Sequence, residues 1–138
     1  MDRRAMLVLS AAAAMPPGTS AWGHGRAPSA NEARSTTVKL IAIYDRPDDP
    51  ESFFRHYETV HSPLVKKTPG LQSFVLNRVT EDMFRGEPPY VLIAEMTYAN
   101  RAAFDAAMKS PENQAVGQDL MSFAKGKVRV VVADSASA

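Results

Sequence analysis

From residue 38 onward the chain switches between two hydrophobic spacings. Val38 to Asp45, VKLIAIYD, is apolar at nearly every position, with Val38, Leu40, Ala42 and Tyr44 on one face and Ile41 and Ile43 on the other. A strand that is apolar on both sides needs cover on both sides. Arg46 to Pro50 is a turn, with two prolines and two aspartates. The spacing then becomes helical. Phe53, Tyr57, Val60, His61 and Leu64 fall at i, i+4, i+7, i+8 and i+11, the core-facing stripe of one helix. Asp49 is its expected N-cap, Pro50 its first helical residue and Glu51 its first-turn acid. Pro63 disfavours the α region at Ser62, so the regular helix is expected to end or tighten there, between His61 and Leu64.

Pro69-Gly70 signals a turn. Leu71 to Val79 reads as a second strand and Thr80 to Pro89 as a polar loop. Tyr90 to Tyr98, YVLIAEMTY, reads as a third strand. Asn100 caps a helix through Met108, and Ser110-Pro111-Glu112 starts a second one as cap, first-turn proline and first-turn acid. That helix ends near Ala124, and Val128 to Ala133, VRVVVA, is a fourth strand. The resulting order β-α-β-β-α-β is the ferredoxin-like arrangement of the α+β class, an antiparallel four-stranded sheet with its helices on one face. The other sheet face is left bare although its strands are apolar there too. A core of about 100 residues is small by itself. A symmetric dimer packed sheet to sheet satisfies both needs.

Residues 1–36 read differently. Arg3 and Arg4 precede an apolar run from Ala5 to Met15, then Pro16-Pro17-Gly18 and the small residues Thr19-Ser20-Ala21. Basic start, apolar centre and small-residue end form the layout of an export signal. The run is shorter than the roughly 20 residues that span a bilayer, so no membrane span is expected in the mature protein. The paired arginines resemble a twin-arginine signal. The expectation is therefore export, to the periplasm, with Ala21 to Thr36 a flexible lead-in to a domain over 37–138. A mis-called start would leave the protein cytoplasmic. Without residues 1–21 the 16 Lys+Arg and 15 Asp+Glu become 14 of each. That balance gives no basic stripe for nucleic acid. Cysteine is absent, which removes disulfides and thiolate chemistry.

Candidate chemistry concentrates between His56 and Asn77, which hold the folded region's two histidines, His56 and His61. On a regular helix at about 100° per residue their directions differ by about 140°, so they point apart and cannot share a metal. His61 lies on the apolar stripe. It is either packed between helix and sheet with a backbone hydrogen bond, or faces a pocket as acid, base or donor near neutral pH. Tyr44 and Tyr57 are aromatics with one polar tip each. Glu95 sits mid-strand on the face of Val91, Ile93 and Thr97. Such a carboxylate must be paired, with Arg78 on the neighbouring strand as the plain partner, or it belongs to a pocket.

The block HYETVHSPLVKKTPGL, with AEM in the third strand and SPENQA in the second helical region, resembles the EthD family, named for its association with ethyl tert-butyl ether degradation. The resemblance runs over about residues 37 to 134. It implies a dimeric α+β barrel, two ferredoxin-like protomers with facing sheets. It also implies a neighbourhood of small enzymes and accessory proteins acting on lipophilic or aromatic compounds, cofactor-free monooxygenases and isomerases among them. The family's HxPL motif falls on His61, Pro63 and Leu64. The export-like segment departs from the family pattern, which begins near Val38. The expected protein is a cofactor-free, oxidoreductase-associated or isomerase-type enzyme for a lipophilic small molecule. His61 would be its acid or base, with Tyr57 and Glu95 assisting and Tyr44, His56, Phe53 and Leu64 contacting substrate. The alternatives are a non-catalytic periplasmic ligand-binding protein and an accessory dimer. A polar cluster inside an apolar pocket favours the enzyme, a wholly apolar cavity the binder, and a collapsed interior with His61 bonded to backbone the accessory protein.

Overall fold

A computed structural model describes residues 36–138. The export segment and most of the lead-in lie outside the described residues. Strands β1 (Thr37–Asp45), β2 (Leu71–Arg78), β3 (Tyr90–Tyr98) and β4 (Val128–Ser135) form one antiparallel sheet in the order β2-β3-β1-β4. The helical segments are α1 (Pro50–His56), a π turn (Tyr57–His61), α2 (Ser62–Lys66), α3 (Arg101–Met108) and α4 (Pro111–Phe123). The expected α+β ferredoxin-like fold is the one observed.

Local signals set the helix starts. The side chains of Asp49, Asn100 and Ser110 accept hydrogen bonds from the backbone N–H groups of Ser52, Ala103 and Asn113, satisfying donors that a helix N-terminus leaves free. The even-numbered face of β1 and β3 carries Val38, Ala42, Tyr44, Leu92, Ala94, Met96 and Tyr98 into the core, against Phe53, Tyr57, Val65, Phe104 and Ala107 of the helices. The odd-numbered face carries Ile41, Ile43 and Ile93, flanked by Val75 and Val131 on the edge strands. No described element covers it, and Val75 and Val131 are each 47% exposed.

Two expectations about the first helix fail together. Pro63 does not stop it: the helical path continues to Lys66 because the backbone widens just before the proline. Ser62 N–H bonds to Tyr57 C=O, five residues back instead of four. A proline in a regular helix clashes with the carbonyl four residues earlier, and the wider turn relieves that clash. The widening also shifts the buried stripe. Phe53, Tyr57, His61 and Val65 are buried, whereas Val60 is 40% exposed and Leu64 only half-buried.

The β2–β3 loop is less polar outside than its composition suggests. Asp82 and Gly86 pair across a tight turn, the Asp82 carboxylate accepts from Phe84 and Arg85 N–H groups, and Met83 and Phe84 project into solvent. Among the described residues no helix is long and apolar enough to cross a membrane.

Candidate active site

The π turn puts His56 and His61 on the same side of the helix, which corrects the expectation that they point apart. An i→i+5 turn takes up one more residue than an α turn, so positions five apart come round to one face. Both rings meet one carboxylate, Asp119 of α4. His61 Nδ1 lies 2.8 Å from Asp119 Oδ2, and His56 Nε2 lies 2.9 Å from Oδ1 and 3.2 Å from Oδ2. Phe123, one turn further along α4, packs against both imidazoles, with ring centroids 4.6 Å from His56 and 4.9 Å from His61.

His61 is only 3% exposed. Burial lowers its affinity for a proton, while the hydrogen bond and charge of Asp119 pull the other way, and the net direction is below the ordinary value of 6.5. Near neutral pH the ring is therefore uncharged. Its Nδ1–H donates to Asp119, which leaves the lone pair on Nε2, for which the described residues offer no hydrogen-bond partner. The partner is thus a carboxylate and not the backbone.

His61 lines a cavity of about 190 Å³ between the sheet and α4. Leu40, Ala42, Met96, Val116, Leu120 and Val130 form its apolar walls, and Tyr44, His61 and Asn113 supply the polar groups. Tyr44 is fully buried and meets Tyr57 edge to face at 5.4 Å. Burial, then the neighbouring Tyr57 phenol and the Asp119 charge, raise the Tyr44 hydroxyl well above the tyrosine range. Burial likewise pushes Tyr57 up to about 12, with the Tyr44 hydroxyl acting in the opposite sense. Both phenols stay protonated. Asn113 Nδ2 donates to Met108 C=O, so its Oδ1 is the end left to accept.

The remaining sequence candidates sit elsewhere. Glu95 lies on the helix-free face of the sheet, away from His61, where it bonds Lys39 Nζ at 3.2 Å and Asn77 Nδ2 at 2.9 Å. These two bonds hold its carboxyl below the usual range. Arg78 is not its partner. Arg78 pairs in register with Leu92, on the opposite face, and reaches Glu58 at 2.6 Å over the Phe54 ring. Leu64 lines a separate surface depression with Lys67, Pro111, Glu112 and Ala115. Phe53 and His56 line another, with Pro47, Asp49, Ser52 and Phe123. Among the described residues no group of three or more His, Cys, Asp or Glu side chains is arranged to hold a metal ion.

Sequence reasoning missed Asp119 and Asn113. A faint signal exists for both: Asn113, Val116 and Leu120 recur at helical spacing, and Asp119 is the sole carboxylate of α4 beyond its first turn.

This fold and site define a ferredoxin-like α+β protein with a histidine–carboxylate pair beside an apolar cavity. The chain belongs to the EthD domain family, whose model matches residues 46–127. It is 31% identical, over 97 residues, to an uncharacterised 11.0 kDa protein of the thcB–thcC intergenic region of Rhodococcus erythropolis, covering 70% of this chain and 92% of that one. An ethyl tert-butyl ether (EthD) family protein from Bacillus halodurans superposes with a TM-score of 0.69 and 34% identity, over 72% of this chain and 98% of that one. Two further structures share the fold at low identity. A hydroxynitrile lyase from Passiflora edulis has a TM-score of 0.59 at 12% identity, over 72% of this chain and 93% of that one. A dimeric ferredoxin-like protein of unknown function from Thermobifida fusca has a TM-score of 0.54 at 16% identity, over 73% and 92%.

Proposed function

We propose that this protein is a small enzyme that moves a proton on an apolar carbonyl-type molecule held between the sheet and α4. One observation carries this reading: an imidazole backed by a carboxylate lines an otherwise apolar cavity. His61 Nε2 is the base that takes a proton from carbon next to the carbonyl. The protonated Tyr44 hydroxyl donates to the oxygen as negative charge develops there. Tyr57 packs against the His61 ring at 5.0 Å and holds it in place. A tuned base and a donor suffice for isomerisation, so no cofactor is required by this chemistry. With dioxygen as co-substrate the same deprotonation would begin an oxygenation. Glu95 takes no part, because it lies across the sheet. The polar cluster favours an enzyme over a simple ligand carrier. At about 190 Å³ the cavity falls below the ~300 Å³ lower end for drug-sized ligands, so the substrate is small.

Two copies are proposed to pack with their bare sheet faces together as a dimeric α+β barrel; a Thermobifida fusca protein of the same fold is dimeric, which supports pairing. Export of the chain to the periplasm is proposed on residues 1–36 alone. Mature protein beginning near Trp22 is the expected result, and an intact Met1 in the cytoplasm would refute it.

The test of the catalytic reading begins with native mass spectrometry of protein isolated from its own host, to identify the bound molecule. Turnover is then compared in folded His61→Gln and Tyr44→Phe. A loss of about 10²–10⁴ is expected for the first and of about 10²–10³ for the second. Unchanged turnover in His61→Gln sinks the assignment.

A further inference from the structure

His56 belongs to the site, yet the proton transfer itself does not use it. His56 lies outside the cavity, is 32% exposed, and faces a solvent-side depression with Pro47, Asp49 and Ser52. Yet it makes two contacts with Asp119, one of them to Oδ2, the oxygen that bonds His61. A solvent-facing imidazole and a buried one therefore draw on a single carboxylate that is itself 12% exposed.

We propose that His56 is a positioning residue that acts through Asp119: it fixes the carboxylate against His61 and governs how much negative charge reaches His61 Nδ1. The inference rests on the reading of His61 as the base. Its physical content is competition for one acceptor. A carboxylate that accepts from two N–H donors has its charge divided between them. Positive charge on His56 also opposes a second positive ring nearby. Either way His56 makes His61 a weaker base than Asp119 alone would. Among the described residues the charged and titratable groups facing His61 are few: Asp119 from α4, His56 and Tyr57 from its own helical segment, and Tyr44 from β1. Both phenols stay neutral, so the contest lies between Asp119 and His56. In agreement, Asp119 raises and His56 lowers the proton affinity of His61.

The alternative is that His56 merely pins α1 to α4. An NMR titration of ring-labelled histidine in the ligand-free protein separates the two. It needs no substrate, so its outcome is independent of whether His61 catalyses anything. His56→Phe is expected to move the His61 midpoint up by about 0.5–1 unit, and Asp119→Asn to move it down. His56→Gln keeps an amide donor to Asp119 but cannot be charged, and its midpoint is expected between wild type and His56→Phe. If His56→Phe does not fold, His56→Gln decides alone by its upward shift. A wild-type His61 that stays neutral to the acid limit of folding, but titrates in His56→Phe, gives the same answer. A His61 that behaves identically in wild type and both folded His56 variants overturns the proposal. The acidic limb of kcat/KM should follow the same shifts once a substrate is known, whereas a purely structural role would lower activity evenly across pH.

Discussion

His61 is held between two opposing forces, and the sign of their balance can be measured. Burial penalises its charged form and Asp119 partly offsets that penalty, so the native ring binds a proton less readily than the unfolded chain does. Below the ordinary value of 6.5 the unfolded state takes up a proton that the native state refuses. Stability is then flat with pH above 6.5 and falls as pH drops from there toward the lowered native value. Urea unfolding between pH 7.5 and 5 should show this loss, and His61→Gln should show a shallower one. An equal slope in the variant would mean that other groups set the acid limit. His61 was legible in the sequence because it falls on an apolar stripe at helical spacing. Asp119 was not, because a carboxylate on an amphipathic helix looks the same in sequence whether it meets water or two imidazoles. Only the register of α4 against the π turn distinguishes the two, and that is a tertiary fact.

At the level of elements, caps were readable and the π turn was not. Asp49, Asn100 and Ser110 act on backbone N–H groups within three residues, so their effect is local and present in the sequence. The widened turn depends on a contest between Pro63 and the pull of burial on both sides of it. Regular geometry would suit Val60 and Leu64; the observed geometry buries His61 and Val65 instead. Deleting Val60, which is largely solvent-facing, would close the turn into a regular helix while keeping His56 and His61 on one face, now four apart. Pro63 would then meet a standard helix interior, and the deletion should cost about 3 kcal/mol. Adding Pro63→Ala should recover most of that in denaturant titrations. A deletion with no cost would mean that the proline is not what holds the turn open. Gly117 of α4 offers a second element-scale test. It lines the cavity, and a Cβ built on it meets nothing within 4 Å. Gly117→Ala should therefore raise stability by about 0.5–1 kcal/mol. It should also weaken binding of the cavity's ligand by taking up room. Tighter binding in the variant would place the ligand elsewhere.

At the scale of the whole fold, the described residues form a half-covered sheet, and that follows from strand chemistry legible from the start. Ile41 and Ile43 alternate with Leu40, Ala42 and Tyr44, so β1 is apolar on both faces, yet α1 to α4 cover one face alone. The bare face is not uniform. Glu95 pairs directly opposite both Ile41 and Val75, and Lys39 and Asn77 satisfy its oxygens within the same protomer. The sequence marked Glu95 as unusual but could not say which side of the sheet needed it. A carboxylate already bonded to a lysine and an amide tolerates loss of water on dimer closure better than a lone one. Ile41, Ile43, Ile93, Val75 and Val131 form the apolar centre of the proposed interface, and a stable one buries roughly 1,200 Å² or more in total. Ile41→Asp tests this directly. The new charge would stand opposite Glu95, facing solvent in an isolated protomer but buried beside a like charge in the barrel. Sedimentation at micromolar concentration should show wild type as a dimer and Ile41→Asp as a folded monomer with unchanged circular dichroism. A wild type that sediments as one protomer, or a variant that still pairs, would remove the barrel and leave the bare face to another partner.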